Sequence, residues 1–282
     1  MKFLCIIMSN DNYIIHGGLE MTLYRHEIKM NLKSLIIWTL CVGGLCFGCI
    51  LLYTSLEDSL QGIADAYSNL GAMSTALGMD KMSLATLNGF YATEVAMMHG
   101  LGGAMFTAIL GTGMLAKEEA GHTSEFLNTF PISRRQILIE KYAALVSNIF
   151  LFNLICTIMY VFGFVMMGEE IMGKEMALYH IAQFVMQVEI GTICFMLSAF
   201  SKKNLIGAGL GIAILMFAAD MMCRIIPAIE NVKYITPFYY SNASDIFTNG
   251  GIDGTMLAIG IGIMVVAFLV ALIKYEKKDL VS

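Results

Sequence analysis

Long apolar runs alternate with short polar segments along the chain, and this alternation predicts membrane-spanning helices. A helix needs about 20 mostly apolar residues to cross a bilayer. Four runs between charged residues are long enough, and two more are interrupted only by Glu189 or Asp220. We therefore predict an all-α fold, that of a polytopic membrane protein with six transmembrane helices. The spans are expected at about 34–56, 92–116, 142–167, 178–201, 204–224 and 254–274.

The distribution of basic residues predicts which side of the membrane each loop faces. Six spans place both termini on one side, and the segments on that side hold Arg25, Lys29, Lys33, Lys117, Arg134, Arg135, Lys141, Lys202, Lys203, Lys274, Lys277 and Lys278. The opposite side holds only Lys81, Lys174, Arg224 and Lys233. Because basic residues accumulate in cytoplasmic segments, we expect a multi-pass protein of the cell membrane with both termini in the cytoplasm.

The segment before the first span carries its own periodic pattern. Arg25, Lys29 and Lys33 follow one another at intervals of four residues, which places them on one helical face. This spacing predicts an N-terminal amphipathic helix that lies on the inner leaflet before the first span.

Composition agrees with a membrane protein and excludes some partners. The chain is 57% hydrophobic and only 14% charged, whereas a soluble domain carries roughly 25% charged residues. A net charge of -5 without a basic stripe argues against a nucleic-acid partner. Most of the seven cysteines lie inside apolar runs, so we interpret them as small apolar side chains and expect no metal site.

The polar segment between the second and third spans, residues 117–141, has the pattern of a short helix. Thr123 or Ser124 is placed to cap it, and Glu125 lies in its first turn, where a carboxylate is favourable. Pro131 ends it. Its apolar face consists of Phe126, Leu127 and Phe130. Such a helix either anchors the two spans at the membrane surface or presents aromatic side chains to a partner.

A second cap follows this short helix. Ser133 and Gln136 have the spacing of a capping box, in which each residue bonds to the backbone of the other. This spacing predicts that the third span's helix starts at Ser133.

The same segment resembles the signature of ABC transporter permeases of the second exporter type. Their pattern is roughly E-x-x-x-G-T-x-E-x-L-x-x-x-P-[IV]-S-R, followed by a helix that contains lysine. The matching residues are Glu118 or Glu119, Gly121, Thr123, Glu125, Leu127, Pro131, Ile132, Ser133, Arg134 and Lys141. His122 departs from the pattern, because it separates the glycine from the threonine. The segment Tyr-Ile-Thr-Pro-Phe-Tyr-Tyr at 234–240 is also similar to an aromatic segment of such permeases.

The resemblance implies a division of labour between subunits. Such permeases form dimers of six-span units, either homodimers or heterodimers, and each unit contacts a separate ABC ATPase subunit through the loop after the second span. Here Pro131, Ser133 and Arg134 would form the turn into the third span. The candidate ATPase-coupling residues are Glu118, Glu119, Gly121, Thr123, Glu125, Phe126, Leu127, Phe130, Pro131, Ser133 and Arg134.

The sequence lacks the phosphate-binding loop that ATP hydrolysis of this kind requires. No G-x-x-x-x-G-K-[ST] segment is present, and the Gly173-Lys174 pair is followed by glutamate. We therefore expect a transport permease, not an enzyme, with no cofactor of its own and with ATPase activity in a partner subunit.

Charged side chains inside the predicted spans are few. Glu189 is either part of a translocation path or a packing residue that bonds to a glutamine or another neighbour, since an intramembrane charge costs about 2.5–3.5 kcal/mol. Asp220 and Arg224 are four residues apart, which predicts an ion pair at the outer end of the fifth span. His99 is expected at the membrane interface.

Two other classes of membrane protein fit the sequence less well. An ion-gradient-driven secondary transporter would favour several intramembrane carboxylates and broken helices, and the chain offers Glu189 alone well inside a span. A membrane-embedded enzyme would need a nucleophile, a base and an orienting group at one depth, and no such set is evident. The ATP-driven permease is therefore the leading interpretation.

Residues 1–20 match neither a signal peptide nor a span, so we expect an N-terminal extension ahead of a single transmembrane domain at 21–282. We predict that translation begins at Met21. N-terminal sequencing of the protein from its native source should read Met-Thr-Leu-Tyr. Recovery of peptides from residues 1–20 would contradict this prediction.

Overall fold

The computed structural model describes residues 22–68, 71–121 and 132–278, and the regular elements in these ranges are all helical. The predicted extension 1–20 lies outside them. The α-helices are α1 (Thr22–Trp38), α2 (Gly44–Ser68), α3 (Ala72–Leu77), α4 (Leu87–Phe90), α5 (Ala96–Met114), α6 (Lys117–Ala120), α7 (Arg134–Met167), α8 (Gly173–Phe200), α9 (Ile206–Ile225), α10 (Ala243–Asn249) and α11 (Gly254–Glu276). Two π-helical turns, Thr39–Gly43 and Tyr91–Val95, and a 3-10 segment, Pro227–Tyr234, complete the list.

Six of these helical stretches are long and apolar enough to cross a membrane, which confirms the predicted class of fold. We call them spans 1 to 6. They are Thr22–Leu56, Leu87–Met114, Arg134–Met167, Gly173–Phe200, Ile206–Ile225 and Gly254–Glu276.

The N-terminal amphipathic segment is helical as predicted, but it is not a separate helix. The π-helical turn Thr39–Gly43 joins α1 directly to α2, so the chain continues from the basic segment into span 1 without a break. No glycine or proline interrupts residues 22–38, which explains why the helix does not stop there. The basic face with Arg25, Lys29 and Lys33 remains exposed.

Spans 2 and 4 form the centre of the bundle. The most apolar stretch of each is 67% buried, whereas the corresponding stretches of spans 5 and 6 are 22% buried. The two central helices approach closely because glycines on span 2 leave room for span 4. A Cβ on Gly111 would lie 2.5 Å from the carbonyl oxygen of Gly191 and 2.9 Å from Cys194 Cβ. Small residues allow such close helix contacts in membranes.

The bundle has two ends, which we name by their residues. The terminal face contains Thr22, Lys117, Arg134 and Glu276, where the described chain begins and ends. The far face contains α3, the 3-10 segment and α10. Ion pairs at each face join helices that are distant in the sequence, as described below.

The close contact between spans 2 and 4 predicts unequal effects of two neighbouring substitutions. Gly111→Ala should lower the free energy of unfolding by about 1–3 kcal/mol, because overpacking forces the helices apart. Gly113→Ala is the matched control, since the nearest atom to its Cβ would be 3.8 Å away. Thermal unfolding of both variants in detergent, followed by size-exclusion chromatography, measures the difference. Equal transition temperatures for the two variants would contradict the described packing.

Candidate functional site

The predicted coupling residues that the structure describes lie at the terminal face. Glu118 and Glu119 lie on the short helix α6, Gly121 follows its last residue, and Ser133 and Arg134 begin span 3. The remaining members of the set lie outside the described residues. These are Thr123, Glu125, Phe126, Leu127, Phe130 and Pro131. The structure therefore shows both ends of the predicted loop.

A buried lysine organises the base of this loop. Lys141 is fully buried in span 3, and its ammonium donates to Glu27 Oε1 at 2.9 Å, to the Met114 carbonyl at 2.7 Å and to Glu118 Oε1. An ammonium has three N–H donors, so these three acceptors satisfy it completely. The Met114 carbonyl is at the end of α5, where helical carbonyls lack partners and favour a cation. We call Lys141, Glu27, Glu118 and Lys117 the lysine cluster.

Glu27 brings span 1 into the cluster. Its side chain is buried, and it pairs with Lys117 as well as with Lys141. Glu27 lies about 200° around the helix from Arg25 and from Lys29, so the acidic side chain faces inward while the basic ones face outward. Removing one partner of a buried ion pair leaves an uncompensated charge, which typically costs about 3–5 kcal/mol. The cluster therefore holds α6 firmly against spans 1 and 3.

The end of the described chain holds the other carboxylate of α6. Lys278 Nζ lies 2.6 Å from Glu119 Oε1 and also donates to the Ser201 carbonyl at 2.6 Å. Arg134 Nη1 donates to the Glu276 carbonyl at 3.3 Å and to the Lys278 carbonyl. The segment that follows span 6 thus bridges α6, the end of span 4 and the start of span 3.

The start of span 3 is capped as its sequence predicts, with one difference. Ser133 Oγ accepts a hydrogen bond from the Gln136 amide at 3.2 Å, which is the first half of a capping box. The Gln136 side chain does not return to Ser133 but donates to Glu140 Oε1 at 3.0 Å. The other oxygen of Glu140 accepts from the Tyr24 amide at 3.0 Å, at the N-terminal end of α1, where a carboxylate is favourable.

These contacts join α6 to three other parts of the protein. The helix is tied to span 1 through Glu27, to span 3 through Lys141 and to the segment after span 6 through Lys278. Across the described ranges, no group of three or more histidine, cysteine or acidic side chains is arranged to hold a metal ion.

Glu189 lies within the protein, and its hydrogen-bond donor differs from the glutamines considered in the sequence. Its side chain is 1% exposed, and Glu189 Oε2 accepts from the Tyr240 hydroxyl at 2.8 Å. Gly260 of span 6 leaves the space that the carboxylate occupies, because a Cβ there would lie 2.5 Å from Oε2. Glu189 thus connects span 4 to the far-face segment after span 5.

The predicted Asp220–Arg224 pair is present and belongs to a larger network. Arg224 Nε donates to both carboxylate oxygens of Asp220 at 3.0 and 3.1 Å, and Arg224 Nη1 donates to Asp245 at 2.7 Å. Lys81 donates to the other oxygen of Asp245 at 2.5 Å. Burial opposes ionisation of Asp245, but Arg224 and Lys81 hold the pKa of that carboxyl below its ordinary value. This network joins span 5 to α10 and to Lys81 at the far face.

His99 is in the core, so its expected interfacial position is wrong. It is fully buried, stacks on Phe152 with a centroid separation of 5.6 Å, and bonds to the Tyr160 hydroxyl at 3.0 Å and Asn153 Oδ1 at 3.2 Å. Asn153 donates in turn to Gln187 of span 4 at 2.7 Å. Buried polar side chains that bond to one another hold membrane helices together.

Sequence reasoning missed Glu27 and Lys278 as parts of this site. A signal for Glu27 was present, because it is an acidic residue on the face opposite the basic stripe of α1. Lys278 gave no distinguishing signal, since it is one of two adjacent lysines near the end of the chain. Their partners are in other helices, and periodicity within one helix does not identify such partners.

The sequence of the chain is similar to known membrane proteins. A family model described as ABC-2 family transporter protein matches residues 21–280. The chain is also 25% identical over 169 residues to the uncharacterized protein YhcI of Bacillus subtilis (strain 168), a match that covers 51% of this chain and 52% of that protein. The chain thus matches about half the length of this relative.

The contacts within the lysine cluster predict how much each of its residues contributes to the free energy of unfolding. Lys141→Met should lower the free energy of unfolding by about 3–5 kcal/mol, because Glu27 and Glu118 both lose the buried ammonium that balances their charge. The double variant Glu27→Gln, Lys141→Met should recover most of that loss. Lys117→Met is the control, since the Lys117 side chain is 32% exposed and Glu27 keeps Lys141 as its buried partner, so the loss should be smaller than that of Lys141→Met. Chemical unfolding in detergent compares the variants, and a double variant less stable than Lys141→Met would refute the pairing.

Proposed function

The chain belongs to the ABC-2 family of transporter proteins, and we propose that it is a permease subunit that exports its substrate with ATP hydrolysed by a separate ATPase subunit. The observation that carries this proposal is the lysine cluster at the base of the loop between spans 2 and 3. A docking loop that moves a permease must be mechanically joined to its spans. Here a fully buried ammonium provides that connection.

The proposed docking surface is the segment from Lys117 to Arg134. Its described ends are held by Lys141, by Lys278 and by the Ser133 cap. Its apolar face, with Phe126, Leu127 and Phe130, is predicted from the sequence pattern, and its role in docking is implied by the family resemblance. In this account the ATPase binds that face, and its movement is passed to spans 1 and 3 through Glu27 and Lys141.

Assembly and orientation are parts of the same proposal. The terminal face is assigned to the cytoplasm, because Lys117, Arg134 and Lys278 lie there and basic residues accumulate on that side. Both termini would then be cytoplasmic. A second permease subunit, identical or related, would complete the transporter.

We propose that Glu189 belongs to the translocation path and becomes accessible when the spans change position. In the described state its carboxylate is enclosed by Tyr240 and by span 6 at Gly260. Separation of span 6 from span 4 would expose a carboxylate to the space between them. The exposed carboxylate and the Tyr240 hydroxyl would then be polar groups to which a passing substrate could bind.

The docking assignment predicts which substitutions separate the subunits. Phe126→Ala and Glu125→Ala should each reduce recovery of the cognate ATPase in co-purification by at least about fivefold, since a lost anchor residue costs more than about 1 kcal/mol. Phe200→Ala is the control, because Phe200 is an exposed phenyl group at the terminal face outside the loop. The measurement is the molar ratio of the two subunits after affinity purification. Undiminished recovery with both loop variants would contradict the docking assignment.

Transport assays separate this function from ion-gradient-driven transport. Transport by the complex in proteoliposomes should stop when the Walker lysine of the ATPase subunit is replaced, and it should continue when an uncoupler dissipates ion gradients. The reverse pattern would assign the chain to the secondary transporters.

A further inference from the structure

The helix α1 crosses the membrane interface instead of lying in its plane. It carries Arg25, Lys29 and Lys33, which we call the basic stripe. Trp38 and Gly44 flank the π-helical turn between α1 and α2, and both have right-handed helical backbone angles. The basic stripe is therefore part of the same continuous helix as the apolar part of span 1.

Span 3 lies beside this helix along most of its length. At one end, Glu140 Oε2 accepts a hydrogen bond from the Tyr24 amide at 3.0 Å. At the other end, a Cβ on Gly163 would lie 3.0 Å from the Ile50 side chain. Nearly equal lengths of the two helices separate these contacts, so α1 runs parallel to a membrane-spanning helix.

The uncharged part of span 1 determines the depth of its cations. Lys33 and Glu57 enclose 23 uncharged residues, which extend about 34 Å as a helix, close to the hydrocarbon thickness of about 30 Å. Lys33 therefore lies at the edge of the hydrocarbon, and Lys29 and Arg25 follow about 6 and 12 Å farther along the helix axis. Since each headgroup layer is about 5–7 Å thick, the basic stripe passes through one of them.

The charge of the basic stripe is not balanced by other side chains. All three of its residues are exposed, and among the ion pairs of the described residues none includes a member of the stripe. Glu27 is the only acidic residue in the sequence between positions 22 and 56, and its buried carboxylate is paired with Lys117 and Lys141. An anion at the basic stripe therefore meets no exposed carboxylate of this helix.

The same helical face continues as an exposed apolar surface toward the centre of the bilayer. Ile36 and Leu40 each lie within about 20° of Lys29 around the helix, and their side chains are 49% and 64% exposed. One face thus presents cations at the depth of the headgroups and aliphatic side chains at the depth of the acyl chains.

We propose that this face binds an anionic phospholipid, with the phosphate at the basic stripe and an acyl chain along Ile36 and Leu40. Phosphate oxygens accept charge-assisted hydrogen bonds from ammonium and guanidinium groups. A zwitterionic lipid brings a cation of its own, which the stripe repels. The proposal requires only that span 1 crosses a bilayer, and it does not depend on the ATPase or on the direction of transport.

Two lipids with the same acyl chains test the proposal on the full chain in a non-ionic detergent. Native mass spectrometry counts bound dioleoylphosphatidylglycerol, which is anionic, and dioleoylphosphatidylcholine, which is zwitterionic. The anionic lipid should bind at least about fivefold more tightly, because each basic residue near a membrane surface contributes about that factor. Equal binding of the two lipids would overturn the proposal.

Inorganic phosphate distinguishes a lipid site from a site for the phosphate group alone. At millimolar concentration it should displace no more anionic lipid than sodium chloride of the same ionic strength does, because it cannot use the apolar surface at Ile36 and Leu40. Specific displacement by phosphate would overturn the assignment to a lipid.

Substitutions tie the lipid preference to the basic stripe. Lys29→Gln should weaken binding of the anionic lipid about fivefold, and the triple variant Arg25→Gln, Lys29→Gln, Lys33→Gln should abolish the preference for it. Thermal unfolding verifies that each variant is folded. A preference that persists in the folded triple variant would refute the role of the stripe.

A second triple variant controls for the loss of three charges. Three exposed lysines lie elsewhere on the terminal face, and the control replaces them as Lys202→Gln, Lys203→Gln and Lys277→Gln. This variant should keep the wild-type preference for the anionic lipid. An equal loss of preference in both triple variants would show that net charge, and not the face of α1, selects the lipid.

Discussion

A buried lysine ammonium is stable only where three acceptors surround it, and in this protein Lys141 imposes that requirement on the whole terminal face. Its acceptors come from span 1, from the end of α5 and from α6. Each of these elements must therefore remain within hydrogen-bond distance of one atom. Loss of any one acceptor would leave part of the ammonium unsatisfied in a region of low dielectric, which explains how a helix as short as α6 is held in place.

Buried polar and charged side chains that bond to one another also join the helices in the rest of the bundle. Gly103 of span 2 leaves room for the Gln187 side chain of span 4, which accepts a hydrogen bond from Asn153 of span 3 at 2.7 Å. At the far face, Arg224 connects span 5 with α10. Ion pairs thus join helices at each end of the bundle, and an apolar, hydrogen-bonded core lies between them.

The sequence predicted the features that arise within one helix. The six spans follow from apolar length, the Ser133 cap follows from local spacing, and the Asp220–Arg224 pair follows from a separation of one helical turn. It did not predict contacts between distant residues. Lys141 and Glu27 are 114 residues apart, and Glu189 and Tyr240 are 51 residues apart. Such partners depend on how helices pack, and no local pattern contains that information. The continuity of α1 with span 1 was missed for a related reason, because a change from polar to apolar residues does not by itself end a helix.

We propose that the lysine cluster transmits the movement of the ATPase to the spans, and this transmission can be measured as ATP hydrolysis by the assembled complex. The double variant Glu27→Gln, Lys141→Met removes both buried charges and leaves the predicted docking surface unaltered. We expect this complex to assemble in the normal ratio. We also expect it to lose most of the increase in ATP hydrolysis that the wild-type permease causes in its ATPase. Stimulation equal to that of the wild-type complex would show that coupling does not pass through Lys141.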